Sequence, residues 1–182
     1  FVNHARRVQG VDKPADDLKK VWLDFIAGTT ESLAFNVFDF DLMEVAEALV
    51  QKRAQGVEIF LGVDDKVIDA RPEVRAVVDY LRSKGVNVVG VDSPGLNHQK
   101  MAVRDWKISG KAAVLLSSGN LTQSCIGPEG DLKDVKPRPK ISIPNANHTI
   151  TLESDGLAAV VHHELVKTLQ SDFLYRGRTY PL

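Results

Sequence analysis

His98 and Lys100 stand two residues apart, and a short polar cluster, Ser117, Ser118, Gly119, Asn120, Leu121 and Thr122, follows an apolar run a little further on. These residue types suit chemistry at an anionic, electrophilic centre. A neutral imidazole can attack an electrophile, and a fixed ammonium beside it holds an anion. Hydroxyl and amide groups among small residues can approach a phosphate closely. Side chains alternate faces along a strand, so His98 and Lys100 are expected to point the same way.

Regular elements surround these residues. Leu18, Val21, Trp22, Phe25 and Ile26 keep the spacing of one helical face, after Pro14 at a first helical position and the acids Asp16 and Asp17, and Gly28 ends the pattern. Residues 32–40 are rich in aromatic and β-branched types and read as a strand. Asp41 is the expected N-cap of the next helix, with Glu44 in capping-box position and Leu42, Val45, Ala46, Leu49 and Val50 as its stripe. Residues 57–63 read as a buried strand, Pro72 opens a helix bearing Val74, Val77, Val78 and Leu81, and residues 86–91 form the next strand. This alternation predicts right-handed crossovers and a sheet covered by helices. The character then changes. Residues 98–116 hold β-like segments split by Ser109, Gly110 and Lys111, the pattern of a hairpin. Residues 145–152 read as another strand and 155–174 as a final helix, with Leu157, Val161, Leu165 and Leu169 at helical spacing. Residues 125–140, with Gly127, Pro128, Gly130, Pro137 and Pro139, form a loop long enough to carry a function of its own or to move.

The chain's 182 residues predict one domain over 1–182. A domain of this size buries about 70% of its unfolded surface and needs neither disulfides nor metal to fold. Hydrophobic residues at 43% and charged residues at 26% exclude disorder of the whole chain. Lys and Arg number 23 against 24 Asp and Glu, which argues against a dedicated nucleic-acid coating protein and leaves a local basic cleft open. The single Cys125 excludes an intrachain disulfide framework and a cysteine-based zinc site. Apolar stretches fall well short of a membrane span, so no transmembrane segment is expected. No secretory signal is visible, and Phe1 in place of Met is the mark of a fragment, a processed product or a trimmed chain, which leaves the compartment open.

Together the motif residues resemble the signature of the phospholipase D superfamily: His-x-Lys, four residues, Asp, then Gly-Ser-x-Asn. His98, Lys100 and Asp105 match with the family's internal spacing, Ser118 and Asn120 match its Ser and Asn, and Leu121 with Thr122 is a frequent continuation. The run Gly-Val-Glu-Ile-Phe-Leu-Gly-Val-Asp at 56–64 looks like the family's strand entering the sheet. The resemblance implies an α/β fold: an αβα sandwich with a mixed, mainly parallel sheet. It also implies phosphoryl transfer that needs no metal and no cofactor. His98 would attack phosphorus and form a phosphohistidine, and Lys100 and Asn120 would hold the non-bridging oxygens with Ser118 in support. Asp105 belongs to the catalytic triplet of the motif, and in this family it is more a structural hydrogen-bonding residue than a reacting one. A second His, from a second copy of the motif, would protonate the leaving group and then activate water or an alcohol.

Three positions depart from the family pattern. Ser117 stands where Gly is usual. Eleven residues lie between Asp105 and Ser117, a longer spacing that the hairpin at Ser109, Gly110 and Lys111 would absorb. The strand after the motif offers no acid to orient the His. Asn147 stands there, an amide able to hydrogen-bond an imidazole without a carboxylate's electrostatic support, and it completes the substrate-side candidates.

Only one copy of the motif is present, since His4, His148, His162 and His163 have no Lys two residues on. Two copies of the chain would therefore pair as a homodimer, or the chain is one half of a longer two-motif protein, which its start at Phe1 and its end at Leu182 would fit. His162, His163 and Glu164 lack an i+4 His and read as solvated or packing residues, not a metal site. Lys133, Lys136, Arg138 and Lys140 read as a solvated loop, with contact to an anionic substrate or a lipid surface as the minor alternative. Trp22 and Phe25 are expected in the core, and Trp106, just past the motif, is a lesser candidate for the site's rim. The expected activity is hydrolysis or transfer on a phosphodiester substrate, with a phospholipid headgroup favoured and nucleic acid possible. A metal-independent endonuclease and a non-catalytic scaffold half are the alternatives.

Overall fold

The computed structural model describes residues 1–3, 6–13, 15–93, 95–126 and 146–175. The loop cations Lys133, Lys136, Arg138 and Lys140 lie outside the described residues, as do His4 and Pro14. Near the start, Gln9 and Gly10, at φ of 50° and 79°, turn β1 (Arg6–Val8) back onto β2 (Val11–Lys13) as a hairpin that no sequence pattern announces.

Helix α1 (Leu18–Ala27) begins later than Pro14 suggested, because the Asp17 carboxylate caps it by accepting from the Lys20 N–H. It buries Leu18, Trp22, Phe25 and Ile26, the expected face. Strand β3 (Ser32–Val37) follows, with all six residues buried. It ends three residues before the expected Phe40, because Phe40 leaves the sheet to bridge Leu121. Helix α2 (Met43–Ala54) is preceded by Leu42 and has no side-chain cap. The expected cap, Asp41, turns its carboxylate to Arg71 and to the Gln123 N–H instead. Strand β4 (Glu58–Asp64) runs into α3 (Asp65–Ala70), a helix too short to show a periodic stripe. Helix α4 (Pro72–Ser83) carries Pro72 at its first turn and buries Val74, Val77, Val78 and Leu81 as expected. Strand β5 (Asn87–Val91), β6 (Lys100–Arg104), β7 (Ala113–Ser117), the short α5 (Gln123–Ile126), β8 (Thr149–Glu153) and α6 (Asp155–Tyr175) complete the order.

Six strands form one sheet in the order β5-β4-β3-β6-β7-β8. The mixed character matches the expectation, but the balance between directions differs from "mainly parallel". The β3–β4 and β4–β5 pairings are parallel, joined by helical crossovers, whereas β3–β6, β6–β7 and β7–β8 are antiparallel. For β6 and β7 the physical reason is the length of their connection. The turn between β6 and β7 is too short for the crossover that a parallel neighbour demands. The anticipated hairpin is this turn, with Gly110 at φ 73° and its N–H held by the Asp155 carboxylate at 2.8 Å.

Helices cover both faces of the sheet. On one side α1, α2 and α4 pack with Leu33, Phe35, Val37, Leu61, Val63, Ala102 and Leu115 in the main core. On the other, α6 lies over β3, β5, β6 and β7, with Ala158, Val161 and Leu165 against Ala34, Val103 and Val114. Residues 33 and 34, or 114 and 115, fall on opposite sides, as the two-residue period of a strand requires. Among the described residues, no helix is long and apolar enough to cross a membrane.

Candidate active site

Strand register brings the motif together at one end of the sheet. Val37 pairs with Lys100, Met101 with Leu116, and Ser117 with Thr149. The end of β3, the start of β6, the end of β7 and the start of β8 therefore coincide, and β4 reaches the same end through Val37 and Val63. Residues just outside these strand ends, His98, Ser118, Asn120, Asn147 and Phe38, must converge. The carboxyl ends of parallel strands are a usual place for a site in an open α/β sheet.

His98 lies just before β6, not in it, and its ring is exposed. It packs on Phe38, with centroids 5.1 Å apart and planes tilted by 55°. Lys100 is 6% exposed, and its Nζ sits 5.6 Å from the same ring's centroid and donates to the His98 carbonyl at 3.1 Å. The two side chains thus share a side, as alternation predicts, with Phe38 as a common wall. Burial pulls the Lys100 ammonium below the ordinary lysine range, and the charges of Cys125 and Asp39 oppose the shift. The folded chain gives up this proton before the unfolded chain does. Its contribution to stability therefore rises with pH through the window below the ordinary lysine value, and the positive charge itself is lost in that same window. NMR titration of the Lys100 side chain is expected to show a midpoint below that of a solvated lysine, with an alkaline fall of kcat/KM at the same pH. An unshifted midpoint would contradict the burial.

The Ser118 hydroxyl donates to Asn147 Oδ1 at 2.9 Å and accepts from the His148 N–H at 2.9 Å, so its proton is already committed. Asn147 is buried, and its Nδ2 donates to the Cys125 carbonyl at 2.9 Å. The amide expected to face an imidazole thus braces the Ser118 turn. Gly119 has to be small for the same reason, since a Cβ there would come within 2.9 Å of the Asn147 side chain. Ser117, at the family's usual Gly, keeps a negative φ, and its hydroxyl accepts from the Gly119 N–H at 3.1 Å. Asn120 Oδ1 is buried and, among the described residues, meets no donor.

Asp105 lies at the other end of β6. It is 1% exposed, and its carboxylate accepts from the N–H groups of Thr30, Glu31 and Ser32 at 2.8 to 3.2 Å. The structure brings His98, Lys100, Ser118, Asn120 and Asn147 to one end and leaves Asp105 at the other, tying β6 to the start of β3. Trp106 follows Asp105 away from the site, stacked on His162 at 4.2 Å, so it forms no part of the rim.

Two supporting groups have no motif to reveal them. One is an amide network behind the motif. Asn36 and Asn97 exchange hydrogen bonds at 2.8 Å, Asn36 also donates to Gln99 at 2.8 Å, and the Asn97 N–H donates to Asp64 at 2.9 Å. The polar residues flanking His98 on both sides were its only sequence signal. The other is a carboxylate cluster. Arg71 bonds Asp39, Asp41 and Glu73, and burial raises the Asp39 and Asp41 carboxyls while Arg71 opposes the rise.

The fold is similar to that of several proteins of known structure. Nuc from Salmonella typhimurium, a phospholipase D family member, matches with a TM-score of 0.65 at 16% identity, over 84% of this chain and 86% of that one. NucT from Helicobacter pylori matches with a TM-score of 0.63 at 16% identity, over 85% and 89%. TrmBL2, an archaeal chromatin protein whose structure shows a novel mode of DNA binding, matches with a TM-score of 0.54 at 7% identity, over 85% of this chain and 49% of that one. No protein-family model matches the sequence, and no curated protein matches it. Helices on both faces of a mixed six-stranded sheet, superposing on Nuc over most of both chains, give this chain the phospholipase D-like fold.

Proposed function

We propose that the chain is a phosphodiesterase of the phospholipase D type, acting on a phosphatidyl-like diester through a phosphohistidine on His98. The observation that carries this reading is the exposed imidazole beside a desolvated ammonium, held against one aromatic wall at the end of the sheet. An imidazole nitrogen attacks phosphorus as the bond to the leaving oxygen breaks. The Lys100 ammonium and the Asn120 amide take the charge on the non-bridging oxygens. Ser118 and Asn147 hold the turn that presents Asn120, and Asp105 positions β6 from its far end. A second His, from another copy of the chain or from the other half of a longer one, gives the leaving group its proton and then activates water or an alcohol.

The near-neutral charge favours a phospholipid-type ester, because nucleic-acid binding usually recruits many cations. Nucleic acid is the second reading, favoured by the likeness to TrmBL2. The test is turnover in the presence of EDTA on phosphatidylcholine vesicles and on single-stranded DNA, each at low and high salt, with the solution mass measured alongside. Headgroup release that resists EDTA and varies little with salt is the expected result. DNA cleavage falling steeply with salt would establish the second reading instead. No turnover on either substrate by a dimeric preparation would overturn both.

A further inference from the structure

We propose that Arg71 is a positioning residue of this site: it holds residues 38–41 in the conformation that sets His98 and Lys100 against Asn120, and it neutralises carboxylates that would otherwise capture the Lys100 ammonium. The inference rests on the proposed reading of the site, and it assigns a role to a side chain that touches none of the motif residues.

The segment 38–41 is the physical link between the two halves of the motif. At one end Phe38 touches both His98 and Lys100. At the other, the Asp39 carbonyl accepts from the Leu121 N–H at 3.1 Å, the Asp41 N–H donates to the Leu121 carbonyl at 3.1 Å, and the Asp41 carboxylate accepts from the Gln123 N–H at 3.3 Å. Leu121 follows Asn120 directly, so any shift of 38–41 moves the amide and the wall of the His and Lys together.

One guanidinium fixes this segment. It bonds the Asp39 carboxylate, reaches Asp41 at 3.1 Å and Glu73 at 2.6 Å, and so ties the segment to the first turn of α4. Three carboxylates share this one cation. Asp39 is only 8% exposed, and its Oδ1 is buried with no hydrogen-bond partner among the described residues. Asp39 directly follows Phe38, whose ring centroid lies 5.6 Å from the Lys100 Nζ, so its carboxylate stands one residue from the wall that the ammonium faces, and its charge favours that ammonium. Arg71 keeps that attraction from dominating. Without it, the buried Asp39 carboxylate loses its ion pair one residue from the wall that Lys100 faces, and the two would pair. An ammonium so paired no longer serves a phosphate.

The experiment compares Arg71→Met, Arg71→Lys and the double variant Arg71→Met with Asp39→Asn, each checked for folding by circular dichroism. The Lys100 side chain is titrated by NMR, and kcat/KM is measured on the phosphodiester that the wild type turns over. In Arg71→Met the Lys100 midpoint is expected to rise by about one pH unit as Asp39 turns to it. The same variant is expected to lose kcat/KM by about 10- to 100-fold. Adding Asp39→Asn should return the midpoint towards the wild-type value and recover part of the rate. Arg71→Lys should lie between, because it keeps the charge and loses the fork. A Lys100 midpoint unmoved in folded Arg71→Met overturns the proposal. Should Arg71→Met fail to fold, the same comparison is made between Arg71→Lys and Arg71→Lys with Asp39→Asn, and equal midpoints there overturn it. The titration needs no substrate, so a wild type without turnover would sink the phosphodiesterase reading while the role of Arg71 was still decided.

Discussion

Replacement of His98 by alanine is expected to lower turnover of a phosphodiester by ~10⁵-fold, the scale seen when a covalent nucleophile is removed. Neither hydroxyl beside it is free to take its place. The Ser118 hydroxyl has its proton committed to Asn147, and the Ser117 hydroxyl is engaged with Gly119 and with Thr149, whose Oγ1 lies 3.0 Å away. The Lys100 ammonium, which donates to the His98 carbonyl, carries no lone pair for attack. Stability should change by under about 1 kcal/mol, because the ring is exposed and its aromatic contact is with Phe38 alone among the described residues. Loss of activity without loss of fold is therefore the signature. It is checked by kinetics beside a thermal melt, with mass spectrometry of wild type quenched rapidly at alkaline pH, where a phosphohistidine survives. A folded His98→Ala protein that retained its rate would remove the nucleophile from the mechanism.

Substitution of Asp105 by alanine should act in the opposite sense, costing about 4 kcal/mol of stability from lost hydrogen bonds. Its carboxylate is 1% exposed and satisfies three backbone donors at the start of β3, the Ser32 N–H in a buried place and the Thr30 and Glu31 N–H groups in part-buried ones. Alanine would strand the buried Ser32 N–H and remove a charged acceptor from the other two, and it would also have to adopt the φ of 52° that Asp105 holds, a region where Asp and Asn are better tolerated. Asp105→Asn keeps one acceptor oxygen and the backbone preference, so it should lose less than half as much. Urea midpoints of the two variants test this ordering. An Asp105→Ala protein as stable as the wild type would show that these hydrogen bonds carry no net weight.

The contrast between His98 and Asp105 shows what can be read from spacing. A motif reports that residues occur together, and strand alternation tells which of them share a side. That was enough to place His98 and Lys100 on one wall even though His98 lies outside the strand. Whether a residue in the motif faces substrate or braces the sheet depends on which end of β6 it occupies, and spacing alone is silent on that. The apolar stripes of α1 and α4 were legible because burial of one helix face leaves a 3.6-residue period. The six residues of α3 are too few to show a period, and the capping role expected of Asp41 gave way to a tertiary ion pair. Asn147, read from spacing as a partner for an imidazole, pairs with Ser118 and the Cys125 carbonyl instead. The contacts of Phe38 with His98 and Lys100, and of Arg71 with Asp39 and Asp41, join residues distant in the chain, so no local pattern encodes them.

The register between β3 and β6 has a kinetic meaning as well. Strands β3, β4 and β5 are neighbours joined by single crossovers, and β6 and β7 form a hairpin, so each group can be built from contacts close in sequence. The pairing of Val37 with Lys100 closes the long loop between the two groups, and that closure costs chain entropy which no local contact repays beforehand. Phe38 meets His98 and Lys100 only when this pairing exists. Helical content can thus return on refolding without the site, and the chemistry of His98 reports on native topology more stringently than secondary structure does.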